Sequence, residues 1–131
     1  MLPFDIKGGE IAREKLRSII DDAYNYPVPL ENVFARKYIM RLDQGPTASF
    51  KDFAARMMAR LMSVLRDPGK RLNVLVATSG DTGSAVGDAF RGVDGIDVTI
   101  LYPRGEVSGR QKKQLDTIGK NVRSVCVDAK F

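Results

Sequence analysis

The sequence predicts an α/β fold with an open, mainly parallel sheet flanked by helices, and two observations carry that reading. Short apolar runs, Asn73 to Ala77, Asp97 to Tyr102 and Asn121 to Val127, alternate with amphipathic stretches across short loops, the pattern of right-handed βαβ units. The first run passes directly into a glycine-containing loop, Thr78 to Ser84 (TSGDTGS), that opens the next helix.

Composition bounds the chemistry. The 131 residues suffice for one domain with a core of its own and are too few for two. Apolar residues at 44% and charged residues at 28% describe an ordinary globular chain. No run is long and apolar enough to cross a bilayer, and the first residues lack the basic, then apolar layout of a signal peptide, so a cytoplasmic setting with no membrane partner is expected. The single cysteine, Cys126, lies in an apolar alternating stretch and reads as a buried, reduced thiol. There is no histidine at all. That excludes Ser-His-Asp and Cys-His machinery and argues against zinc, so no metal is expected and any acid and base work falls to lysine, carboxylates or a cofactor. The net charge of +5 fits nucleic acid, anionic metabolites or mere solubility. Basic residues are scattered, apart from Arg110, Lys112 and Lys113, which speaks against a nucleic-acid partner.

In chain order, Met1 to Gly9 reads as irregular, punctuated by Pro3 and Gly8-Gly9. Ile11, Leu16, Ile19, Ile20 and Ala23 approximate helical spacing, predicting an amphipathic helix from Glu10 to about Tyr24. Asn25 to Pro29 holds two prolines and is extended or turning. Glu31 to Leu42 is ambiguous between a strand over Lys37 to Leu42 and a short helix before it; a strand just ahead of Asp43 is expected. After Gly45-Pro46 a helix runs from about Phe50 to Leu65, its broad apolar face implying burial on more than one side. Asp67, Pro68 and Gly69 stop it. The run Asn73 to Ala77 is continuously apolar, as expected of a parallel strand covered on both faces. A helix from about Gly83 to Phe90, ending at Gly92, a strand at Asp97 to Tyr102, a helix at Ser108 to Ile118 and a strand at Asn121 to Val127 complete the pattern. Residues 1–42 thus read as a helical and linker segment, and residues 43–131 as the α/β region.

Two stretches carry candidate chemistry. Ser49 and Asp52 make a capping-box signature, which sets Lys51 in the first turn of its helix, where the macrodipole disfavours an ammonium. Desolvation beside Phe50 and Phe53 would ease deprotonation of that amine, as a lysine that adds to a carbonyl requires. A plain surface lysine at a helix end fits the stretch equally. In the second stretch, Gly80 and Gly83 permit close approach to backbone, the helix N-terminus favours an anion, and Ser79, Thr82 and Ser84 supply hydroxyls beside the Asp81 carboxylate. A carboxylate or phosphate is the expected ligand. The alternative is a well-capped helix start, with Asp81 or Thr82 as the cap.

Together GPTASFKDFAARMMARLM, ATSGDTGSAV and ILYPRGEVSGRQKKQ resemble threonine synthase and the threonine synthase-like proteins, fold type II enzymes dependent on pyridoxal 5'-phosphate. Related enzymes usually have Asn where this chain has Asp81. The resemblance extends from about Asp43 to the C-terminus. It implies that Lys51 is the lysine that binds the cofactor covalently and later moves protons, and that Asp81 lies near the cofactor's phenolic oxygen. It further implies that the loop of Thr78, Ser79, Gly80, Asp81 and Thr82 grips the substrate carboxylate. The implied reaction is a lyase step of amino-acid biosynthesis, converting O-phospho-L-homoserine and water to L-threonine and phosphate. Lys112, Lys113, Arg104 and Arg110 are the candidates for meeting the leaving phosphate, each equally readable as a solvated surface charge.

Departures are Gln44, where many members have His, and Ser49 in place of a more usual Ala. Members of the family are also considerably longer, and no glycine-rich loop for the cofactor phosphate follows Ser84. The expectation is therefore a piece of such an enzyme with little activity alone. The competing readings are a serine or threonine dehydratase of the same cofactor class and a catalytically inactive binding module.

Overall fold

The computed structural model describes residues 11–129. The expected irregular opening, Met1 to Gly9, lies outside them. In chain order the elements are α1 (Arg13–Ala23), β1 (Leu30–Phe34), β2 (Lys37–Met40), α2 (Lys51–Leu65), β3 (Leu72–Ala77), α3 (Asp81–Phe90), β4 (Ile96–Pro103), α4 (Gly109–Thr117) and β5 (Val122–Val127).

The three apolar runs form one parallel sheet in the order β3-β4-β5, in register at Val74, Val98 and Val122. The α/β architecture is as expected. The central strand supplies the core: Ile96, Val98, Ile100 and Tyr102 alternate along β4 and are buried against Ala55, Ala59, Ala85, Phe90 and Leu115 of the helices. Consecutive right-handed crossovers put α3 and α4 on one face of the sheet, and α2 packs beside α3. No helix among the described residues covers the opposite face. The reading of Asn73 to Ala77 as covered on both faces is therefore corrected: burial alternates along β3, and Leu75 is 69% exposed. Among the described residues, helices cover only the other side.

The ambiguous stretch resolves as an antiparallel hairpin. β2 stands just ahead of Asp43 as expected, and β1, which was not foreseen, pairs with it from Leu30↔Met40 to Phe34↔Lys37. Every residue of both strands is exposed. The hairpin is tied at its base, where Arg41 Nη1 donates to Glu31 at 2.6 Å and its Nε and Nη2 grip Asp43 at 2.8 and 2.6 Å.

The N-terminal helix is bound to α2 by the Arg60–Asp22 ion pair and by a buried arginine. Arg56, on α2, donates to the carbonyls of Ala23 (2.7 Å) and Asp22 (2.8 Å) and to Asn25 Oδ1 (3.0 Å). These are the unpaired acceptors at and just beyond the end of α1, and a cation complements that end of a helix dipole. Cys126 is free and half-buried against the core.

Candidate functional site at the carboxyl edge of the sheet

The lengths of the elements decide what meets what. A helix of 15 residues and a strand of 6 each span roughly 20 Å. Because α2 packs along α3 and the chain reverses between Leu65 and Leu72 to enter β3, the start of α2 is set toward the edge where β3 ends. The parallel sheet brings the start of α3 to that edge too. Lys51 and the Thr78 to Thr82 loop, far apart in the chain, thus share one rim of the molecule.

The start of α2 differs from the expected capping box. Ser49 Oγ does accept a bond, from the backbone N–H of Lys51 at 3.2 Å, but Asp52 does not reach back to Ser49. Its carboxylate, 1% exposed, accepts from the Thr47 N–H at 2.9 Å and from the Thr47 hydroxyl at 2.6 Å. Asp52 therefore closes the Gly45-Pro46-Thr47 turn on the helix. Gly45 makes room for this: a Cβ there would lie 2.4 Å from Asp52 Oδ2. Lys51 is half-buried, and its Nζ sits 4.8 Å from the centroid of the Phe50 ring, a cation–π arrangement. Phe53 turns away from it, to Tyr24 and Tyr26.

In the second stretch the helix cap is neither Asp81 nor Thr82. Buried Thr78 Oγ1 accepts from Gly80 N (3.1 Å) and Gly83 N (3.2 Å) and donates to Gly80 O (3.1 Å). That one hydroxyl holds the loop's shape. The N–H groups of Asp81 and Thr82 stand in the first turn of α3, where no intrahelical acceptor exists. Exposed Ser79 and half-buried Thr82 keep their hydroxyls at the rim. Ser84 Oγ is buried without a hydrogen-bond partner among the described residues. A helical serine commonly turns to the carbonyl four residues back, which here is Gly80 O, already engaged by Thr78.

One side chain that sequence reasoning missed enters this rim. Ser108 caps α4, with its Oγ accepting from Gln111 N, while Gln111 Oε1 accepts from Ser108 N at 3.0 Å. The other end of the same amide, Nε2, donates to Asp81 Oδ1 at 2.9 Å. The S-x-x-Q spacing of a capping box was the available signal for the first half of this arrangement. The second half is a contact between residues thirty positions apart.

The four basic candidates divide. Arg104 is paired with Asp128, and Lys112 with Asp116. The Lys112 ammonium holds the Asp116 carboxyl below its usual range, while burial and then Asp116 push the Tyr102 phenol up. Arg110 and Lys113 are exposed and make no ion pair among the described residues. No group of three or more potential metal ligands occurs among the described residues, and no helix among them is long and apolar enough to cross a membrane. A recess of about 510 Å³ runs along Ala54 to Leu65 of α2 between methionine side chains. It is apolar, and neither Lys51 nor the Thr78 loop lines it.

Known proteins resemble this chain in sequence and fold. No protein-family model matches the chain. The threonine synthase of Haemophilus influenzae is 44% identical over 123 residues, which is 94% of this chain and 29% of that protein. The crystal structure of threonine synthase from Escherichia coli superimposes with a TM-score of 0.83 at 41% identity, covering 95% of this chain and 29% of that one. A PLP-bound threonine synthase from Brucella melitensis gives 0.85 at 35% identity, over 97% and 29%. The likeness reaches well before Asp43, further than the motifs alone indicated. The chain spans 29% of the length of these relatives, and over the residues it shares with them it is similar to threonine synthases in sequence and fold.

Proposed function

We propose that this chain supplies the lysine and carboxylate-binding edge of a pyridoxal phosphate-dependent threonine synthase, which converts O-phospho-L-homoserine and water to L-threonine and phosphate. The reading is supported by the shared rim of Lys51 and the Thr78 to Thr82 loop, together with the likeness of the chain to solved threonine synthases. The residues present fit part of such a site. A primary amine stands in the first turn of α2 without an ion pair among the described residues, unpaired amides open α3, and Ser84 Oγ is a buried donor that the protein itself leaves unused.

When bound, pyridoxal phosphate supplies an electron sink for carbanions. The roles of this chain's own groups follow from their chemistry. Lys51 Nζ would hold the cofactor and carry protons to and from the substrate, work for which a chain without histidine needs an amine. To do so it must leave the face of Phe50. The N–H groups of Asp81 and Thr82, with the hydroxyls of Ser79 and Thr82, would bind the substrate carboxylate at the positive end of α3. Thr78 serves by fixing the loop, since its own hydroxyl is engaged, and Gly80 by admitting the ligand close to backbone. Asp81 would sit nearest the cofactor ring. Of the basic residues, Arg110 and Lys113 are the ones left to meet phosphate. Residues 43–131 are the catalytic portion in this reading, a small phosphorylated amino acid is its partner, and the setting is cytoplasmic.

The test is covalent. Incubation with pyridoxal phosphate, reduction with borohydride and peptide mapping should place the label on Lys51, and Lys51→Ala should abolish it. A label on another lysine, or one that persists in Lys51→Ala, defeats the assignment.

A further inference from the structure

We propose that Gln111 is a positioning residue, a strut that spans from the cap of α4 to the Asp81 carboxylate and so fixes the loop that opens α3. This inference rests on the function proposed above for the meaning of Asp81, but its physical content is independent of any cofactor. The Gln111 amide has two ends, and both are used: Oε1 accepts from Ser108 N and Nε2 donates to Asp81 Oδ1. An amide held at its acceptor end has its donor end aimed, because rotation about its terminal torsion would break the first bond. The Asp81 side chain is exposed, so without a partner it would sample several rotamers. Gln111 removes that freedom for one oxygen and leaves the other open. The strut also passes close to the loop backbone, since a Cβ on Gly80 would lie 3.4 Å from Gln111 Nε2. Ser108, Gln111, Asp81 and Gly80 thus form one connected unit, and a single side chain bridges the N-termini of two helices at the rim.

A substitution separates the strut from the cap. Gln111→Glu keeps the oxygen that accepts from Ser108 N and turns the donor facing Asp81 into a second carboxylate oxygen. Amide hydrogen exchange in the chain, followed by NMR, should then show the loop amides of Gly80 and Gly83, which are bonded to Thr78 Oγ1, exchanging about fivefold faster, the loss of one modest hydrogen bond plus a like-charge contact. The Gln111 amide, bonded to Ser108 Oγ, should stay protected. The reciprocal swap, Gln111→Glu with Asp81→Asn, restores a donor and an acceptor in reversed order and should return the loop to wild-type rates. Unchanged loop exchange in Gln111→Glu, or a swap no slower than the single variant, overturns the proposal.

If Gln111→Glu also loosens α4, the swap alone decides, because a residue that acted only as a cap would gain nothing from Asp81→Asn. With pyridoxal phosphate bound, the visible absorbance and its pH dependence should shift in Gln111→Glu. Absence of label at Lys51 counts against the proposed function, and the exchange rates then still decide the role of Gln111.

Discussion

Gly83→Ala tests the packing that shapes the anion loop. A Cβ at Gly83 would lie 2.4 Å from Thr78 Cγ2, 3.1 Å from Ile100 Cγ2 and 3.2 Å from Leu115 Cδ2, side chains from the end of β3, the centre of β4 and the face of α4. Ile100 and Leu115 are buried and fixed, so Thr78 must give way. Rotating its methyl group swings Oγ1 off Gly80 N and Gly83 N. Overpacking costs about 2 kcal/mol and two strained hydrogen bonds about 1 kcal/mol each, offset by about 1 kcal/mol of helix propensity gained from alanine. The net loss is about 3 kcal/mol, which at a urea dependence of about 1.5 kcal/mol/M lowers the unfolding midpoint by about 2 M. The control is Thr78→Ser in the Gly83→Ala background, which deletes the obstructing methyl group and keeps the hydroxyl. It should recover more than half of the loss. A neutral Gly83→Ala, or a double variant no more stable than the single one, refutes the reasoning.

Two further outcomes are expected. Asp52→Ala, which strands the Thr47 N–H and opens the Gly45 turn, should destabilise the chain by about 2 to 3 kcal/mol in urea unfolding, and Asp52→Asn by less because one acceptor survives. Acid unfolding should reflect Asp43, whose carboxyl is held below its usual range by hydrogen bonds from Arg41. A carboxylate depressed in the folded state contributes stability above its unfolded value, near pH 4, and loses it as pH falls through the folded value. The urea midpoint should therefore be flat from pH 7 to 5 and fall below 4, with a shallower fall in Asp43→Asn.

The sheet was legible because each strand is a dense β-branched or apolar run and each helix carries a periodic face. Those signals are local. What escaped them was decided by neighbours distant in sequence. Glu31 and Asn32 interrupt the apolar pattern of β1, and the hairpin turns at Ala35, whose φ of +50° is the kind of conformation glycine or asparagine usually marks. The apolarity of Asn73 to Ala77 predicted cover on both faces, yet composition reports only what a strand tolerates, and cover depends on which elements pack there. At the site, Lys51 and the Thr78 to Thr82 loop announced themselves by residue type and spacing. The clamp of Asp52 on Thr47 was hidden by a competing capping rule: Ser49 and Asp52 have the right separation for a reciprocal box, but the Gly45 turn offers the carboxylate two donors in a buried place. Gln111 was invisible as a strut because nothing in an S-x-x-Q cap says where its free nitrogen points.

Alanines recur on the buried faces of the packed helices α2 and α3, Ala55 and Ala59 on one and Ala85 and Ala89 on the other. Small side chains let helix axes approach closely and leave few rotamers to rearrange. Any ligand that bridges Lys51 and the α3 amides therefore encounters a gap whose width is set before it arrives. Opening and closing around such a ligand would have to come from something swinging over this rim, because the rim cannot widen without parting two closely packed helices.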